Sequence, residues 1–81
     1  MTNTEAEQNQ KKKYRFGEKI RLIRERKQLT LKAVAQQAGV SESLVSQIER
    51  GRVSPAIDTL LSLAQVLDIR LEYLFEEYNR H

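Results

Sequence analysis

The sequence predicts an all-α protein, a compact bundle of five short helices around one core. Three observations carry that prediction. Apolar residues recur at the i, i+3, i+4, i+7 spacing of a helical face through residues 16–75, with no convincing strand, repeat or low-complexity block. Glycine, proline and hydroxyl residues fall between those periodic stretches, where helices would stop and start. With 81 residues, 40% of them apolar and 31% charged, the chain makes one small globular domain with a modest core.

Residues 1–14 are polar and lack periodicity, which predicts a flexible basic arm ending in Lys11-Lys12-Lys13 and continuing into Arg15. Such an arm can lie along a polyanion or serve as a solubilising tail, and both readings stay open. Helix one is expected over residues 16–27, with Phe16, Ile20 and Ile23 on one face and Glu18, Lys19, Arg21, Glu25 and Arg26 on the rest. Gln28-Leu29 makes a turn, and Thr30 caps helix two over residues 31–38, where Leu31, Val34, Ala35 and Ala38 share a face.

Gly39 falls where a helix ends in a left-handed residue, a conformation glycine adopts without a Cβ penalty. Val40 follows as an apolar plug, and Ser41 is a good N-cap for helix three over residues 42–49. Val45 and Ile48 point inward, leaving Glu42, Ser43, Ser46 and Gln47 on the other side, and Gly51 ends the helix. Ser54 as N-cap and Pro55 at the first helical position open helix four over residues 55–67, since proline there loses no needed hydrogen bond. Leu60, Leu63, Ala64 and Leu67 face inward, and Asp58 suits the positive end of that helix. After Asp68-Ile69, Leu71, Leu74 and Phe75 give a fifth helix one apolar face. Leu22, Leu61 and Val66 are left over from this core, and with Tyr73 and Tyr78 some of them are expected in a subunit interface.

The net charge of +3 is unevenly spread: residues 11–53 hold twelve basic and four acidic side chains, residues 54–81 two basic and five acidic. A basic front and an acidic back suit a domain that meets a polyanion from one side. No cysteine is present, so disulfides and thiolate metal sites are excluded, and the single histidine is the last residue. There is no glycine loop to cradle phosphate and no carboxylate pair in an apolar setting, so an enzyme is the class least supported, and no cofactor or metal is expected. Nothing resembles a signal peptide or a roughly 20-residue apolar span, so no membrane association is expected and the cytoplasm is the simplest location.

A short helix whose outward face is small and hydrogen-bonding suits the edges of base pairs in a major groove, so helix three reads as a recognition helix. Gln47 is the best candidate for direct readout, because its amide can bond adenine N6 and N7 together; the plainer alternative is a solvent-facing glutamine. Ser43 and Ser46 can serve a base, a phosphate or their own backbone. Glu42 can accept from cytosine N4 or simply favour a helix N-terminus, and the second is slightly preferred. Leu44, off the core face, can touch a thymine methyl, pack on a neighbouring loop or stay exposed.

The series Arg24, Leu29-Thr30, Ala35, Gly39-Val40-Ser41, Ser43, Val45-Ser46-Gln47-Ile48-Glu49-Arg50-Gly51, Pro55, Thr59-Leu60, Leu63-Ala64, Leu67 and Ile69 resembles the lambda-repressor-like (Cro/cI, XRE-type) helix-turn-helix family over about residues 16–75. The resemblance implies a lambda-repressor-like DNA-binding domain over residues 15–78, with the helix-turn-helix proper at 31–50. It implies base-facing roles for Ser41, Glu42, Ser43, Ser46 and Gln47. It implies backbone-phosphate contacts at Thr30, Leu31, Lys32, Leu44, Arg50 and Arg52, and a structural salt bridge between Arg24 and Glu49. Many members carry glutamine where this chain has Leu31, which Lys32 is expected to replace in part.

One recognition helix reads only about 4–5 base pairs, so a homodimer formed through helix five and the turn before it, on a palindromic operator in double-stranded DNA, is expected. The implied function is a sequence-specific transcriptional regulator. The motifs look most like the N-terminal module of a longer regulator with a downstream small-molecule-sensing cupin domain. A stand-alone repressor or controller protein, and a protein-interaction adaptor that has lost DNA binding, are the alternatives.

Overall fold

A computed structural model describes residues 16–76, and over them the five expected helices form: α1 Phe16–Arg26, α2 Leu31–Ala38, α3 Glu42–Glu49, α4 Ile57–Leu67 and α5 Leu71–Leu74. No strand occurs among the described residues. The basic arm expected over residues 1–14, together with Arg15 and Tyr78, lies outside them. α1 packs on α3, α4 and α5, while α2 packs on α3 and α4. Ile20, Val34, Val45, Ile48, Leu63, Leu67 and Leu74 are fully buried where these helices meet, so every helix contributes at least one side chain to one core. Ile23, Leu31, Ala38, Leu71 and Phe75 share the inward faces but stay half-buried at the rim.

The first four helices end in the same way. A residue in the left-handed region follows each: Gln28 (φ 59°), Gly39 (75°), Gly51 (74°) and Asp68 (56°). In every case the next amide reaches back to a carbonyl five residues earlier, from Leu29 to Arg24, Val40 to Ala35, Arg52 to Gln47 and Ile69 to Ala64, at 2.8–3.0 Å. This Schellman arrangement satisfies carbonyls that a helix end would otherwise leave open. Leu29, Val40 and Ile69 then fold back against the core. After α3 the equivalent residue is Arg52, which stays exposed.

Gln28 holds a conformation that costs a residue with a Cβ about 1–2 kcal/mol, and it does so on the surface. Gln28→Gly is therefore expected to stabilise the domain by about 0.5–1 kcal/mol, after the entropy that glycine adds to the unfolded chain is deducted. Urea unfolding checks this; a lower midpoint would mean that the left-handed turn is not the native one.

One expected boundary is corrected. α4 begins at Ile57 rather than Pro55, and its N-cap is Ala56, which has no side-chain capping bond. Ser54 and Pro55 precede the helix as non-helical chain, so neither Ser54 nor Pro55 takes the cap and first-turn roles expected. Leu60, Leu63, Ala64 and Leu67 fix which turn of α4 meets the core, and Leu60 N–H bonds the Ala56 carbonyl at 3.0 Å as the first rung. Proline meanwhile biases the residue before it toward extended backbone.

At the other end of the molecule, α1 and α5 are tied by side chains. The Phe16 and Phe75 rings meet edge to face with centroids 5.9 Å apart. Lys19 Nζ donates to the Tyr73 carbonyl at 2.6 Å and lies 4.6 Å from the centre of the Tyr73 ring. Of the apolar residues left over from the predicted core, Val66 packs against it, whereas Leu22 and Leu61 are exposed, joined by Ile57 at 60% exposure.

Candidate nucleic-acid interface

The geometry of α3 is set at both of its ends. Before it, the Schellman turn at Gly39 and Val40 closes α2, and the Ser41 hydroxyl accepts from Leu44 N–H at 3.0 Å to open α3. Thr30 plays the same part for α2, accepting from Ala33 N–H at 3.0 Å. Removing one such cap costs about 1 kcal/mol. Both expected N-caps are thus in place, and the two helices are fixed relative to each other by a three-residue turn.

After it, Glu49 is buried and both of its carboxylate oxygens are held by Arg24 of α1. Nε donates to Oε2 at 2.7 Å and Nη2 to Oε1 at 3.1 Å, while Nη1 donates to the Leu29 carbonyl at 2.8 Å. The guanidinium fork matches the carboxylate geometry, which makes this the strongest class of charged hydrogen bond. Hydrogen bonding to Glu49 is the main cause that raises the Arg24 pKa, opposed by desolvation and assisted by the charges of Glu49 and Glu25. Arg24 therefore stays charged at any pH at which the domain would be used.

Between these anchors α3 divides cleanly. Val45, Ile48 and Glu49 face the interior, whereas Ser41, Glu42, Ser43 and Gln47 are exposed and Ser46 is half-exposed. These five polar residues are brought together on one surface. Thr30, Lys32, Arg50 and Arg52 are exposed too, Arg50 beside Ser46 at one cavity, and among the described residues Lys32, Arg50 and Arg52 have no carboxylate partner. The first amides of any helix lack an internal acceptor. Thr30 serves that of Ala33, so those of Leu31 and Lys32 are left for an outside group. The Leu31 and Leu44 side chains both pack against the core, and Leu44 N–H is taken by Ser41. The Leu44 side chain is half-buried.

Two contributors escaped the sequence reading. Gly17 is buried where α1 crosses the end of α3, and a Cβ there would collide with the Ile48 carbonyl oxygen and press on the Glu49 carbonyl. The available signal was a glycine inside a periodic helix, which costs about 1 kcal/mol relative to alanine and so implies a packing reason. Lys19 belongs by its spacing to the charged face of helix one, yet it anchors α5; nothing in the local pattern distinguishes it from a solvated lysine.

A bundle of five short helices with a capped, polar-faced third helix after a three-residue turn defines a helix-turn-helix domain. The chain belongs to the helix-turn-helix family HTH_3, whose model matches residues 20–74, and the lambda-repressor-like, XRE-type resemblance holds. It is similar to the HTH-type transcriptional regulator DdrOP3 of Deinococcus deserti, with 39% identity over 59 residues, 73% of this chain and 46% of that protein. It is also similar to the HTH-type transcriptional regulator PuuR of Escherichia coli, with 36% identity over 61 residues, 75% of this chain and 33% of that protein. A crystal structure of an HTH_3 family transcriptional regulator from Vibrio cholerae superposes with a TM-score of 0.73 and 33% identity, covering 85% of this chain and 39% of that one. The chain thus spans between a third and a half of the length of these relatives. Among the described residues no helix is long and apolar enough to cross a membrane, and no group of three or more potential metal ligands occurs.

Proposed function

We propose that this chain is the DNA-binding unit of a transcriptional regulator, reading double-stranded DNA through the exposed face of α3. The observation that carries this is the division of α3 itself, with Val45, Ile48 and Glu49 locked inside while Glu42, Ser43, Ser46 and Gln47 face outward beyond the Ser41 cap, and Lys32, Arg50 and Arg52 have no carboxylate partner among the described residues. A face so built has no packing use, and its short donors and acceptors match groove edges. Thr30, the amides of Leu31 and Lys32, and the side chains of Lys32, Arg50 and Arg52 contact the flanking phosphates. Leu44, half-buried against the core, supports the helix that carries these contacts. No chemistry is performed; the protein acts by occupancy from the cytoplasm.

A homodimer on a palindromic operator is part of this proposal, because two such helices about 34 Å apart read two half-sites one turn apart. The exposed apolar residues Leu22, Ile57 and Leu61 are available for a further surface. We further place the chain as a module of a longer effector-sensing regulator, supported by the third to a half of their length that it spans in its relatives.

Selection from a random duplex pool tests the whole proposal. A two-fold-symmetric motif with half-sites about 10 base pairs apart, bound with a steep negative salt dependence, is expected. No enrichment at low salt would leave a protein-interaction adaptor as the better description. On the selected site, Gln47→Ala is expected to cost about 1–3 kcal/mol and to relax preference at one base pair. Equal weakening on unrelated duplexes would make Gln47 a backbone contact instead.

A further inference from the structure

On the flank of α3 that carries Ser46 and Arg50, the surface dips into a polar cavity of about 160 Å³ lined by Arg21, Arg24, Leu31, Ser46, Glu49 and Arg50. Three guanidinium groups and one carboxylate leave its walls with an excess of positive charge. The single charge of Glu49 is balanced by Arg24, whose guanidinium binds both of its oxygens, which leaves the other two guanidinium groups in excess. Arg50 has no ion-pair partner among the described residues. Arg21 has one, Glu25 at 3.1 Å, but the two side chains are 62% and 52% exposed, and such a pair is held only weakly against water.

We infer that Arg21 and Arg50 together grip one backbone phosphate of the duplex, and that Glu25 is the partner from which the DNA takes Arg21. Ser46 on α3 and Arg50, its C-cap, are four residues apart, and Arg21 and Arg24 are three apart on α1, so each pair shares one side of its helix and the two sides meet at the cavity. An apolar side chain, Leu31, stands at its edge and offers phosphate nothing beyond its backbone amide. The charged donors come instead from α1 and from the residue after α3. Guanidinium forks suit a phosphate whose oxygens can accept two parallel bonds. Phosphate is the stronger competitor for Arg21 because binding it also releases condensed counterions, whereas Glu25 has none to release. The site rests on the DNA-binding role proposed above and adds α1 to the protein's contact with the backbone.

Fluorescence anisotropy with a labelled random-sequence duplex, titrated between roughly 50 and 200 mM salt, tests it on Arg21→Gln, Glu25→Gln, their double variant and Arg26→Gln. Arg21→Gln is expected to flatten the log–log salt slope by about 0.9, so that its deficit shrinks roughly three- to fourfold across that range. Glu25→Gln should bind several-fold tighter at the low-salt end, and that gain should vanish in the double variant. Arg26→Gln, which lines a different groove, should leave the slope unchanged. A wild-type slope in Arg21→Gln, a Glu25→Gln gain that survives without Arg21, or an equal change in Arg26→Gln each overturns the phosphate grip while leaving DNA binding intact. Failure of the wild-type chain to bind any duplex at low salt removes both. Arg21 is exposed, so matching thermal unfolding curves are expected and exclude a folding cause.

Discussion

Arg24→Ala is expected to destabilise the domain by about 3–5 kcal/mol, the largest loss of any single substitution away from the hydrophobic core. The reason is what the change leaves behind. The Glu49 side chain is 5% exposed and takes both of its hydrogen bonds from Arg24, so truncation leaves a largely buried carboxylate without its charged partner. The Leu29 carbonyl loses its donor as well. Glu49→Ala should cost less, because the Arg24 side chain is longer, is 13% exposed, and keeps its bond to Leu29. For a domain of this size each kcal/mol lowers the thermal midpoint by about 4–8 °C, so the Arg24 variant should melt more than about 12 °C below the wild type. Replacing both partners together, as Arg24→Met with Glu49→Leu, should recover most of the loss, since no charge is then left unpaired. Equal costs for all three variants would mean that the pair is not buried as described.

The pattern of residues that carried the fold reading was strongest where physics is local. Gly39 and Ser41 bracket a turn whose chemistry is written in those two residues, and both ends appear as expected. Val45 and Ile48 define an inward face at helical spacing, which by subtraction also defines the outward one. Two of the four left-handed helix ends, Gln28 and Asp68, could not be read the same way, because no glycine marks them; tertiary packing of Leu29 and Ile69 imposes the conformation on residues that disfavour it. The start of α4 departs from its local signal for the same kind of reason. Ser54-Pro55 is a good local start signal, but the register is decided two residues later by four buried side chains. At the interface, the exposed polar set was readable from α3 alone. The cavity that brings Arg21 beside Arg50 was not, because those residues are 29 apart and meet only when α1 docks on α3.

That docking is where the second large effect is expected. In an exposed helix, replacing glycine by alanine stabilises by about 1 kcal/mol, so a local argument predicts that Gly17→Ala in α1 should strengthen the domain. The opposite is expected, a net loss of about 2 kcal/mol or more. Gly17 lies against the carbonyl groups of Ile48 and Glu49, and what a Cβ would meet there is backbone, which cannot rotate aside as a flexible side chain can. Overpacking of this sort costs about 1–3 kcal/mol where side chains yield and more where they do not. Relief requires α1 to lift from the end of α3, which lengthens the Arg24–Glu49 bonds at the same time, so the two losses should not add independently. Unfolding of Gly17→Ala, Arg24→Ala and the double variant measures this coupling: the double variant should fall short of the summed losses by about 1 kcal/mol. Simple additivity would place Gly17 and the ion pair in separate parts of the structure, and a stabilised Gly17→Ala would show that α1 and α3 do not approach this closely.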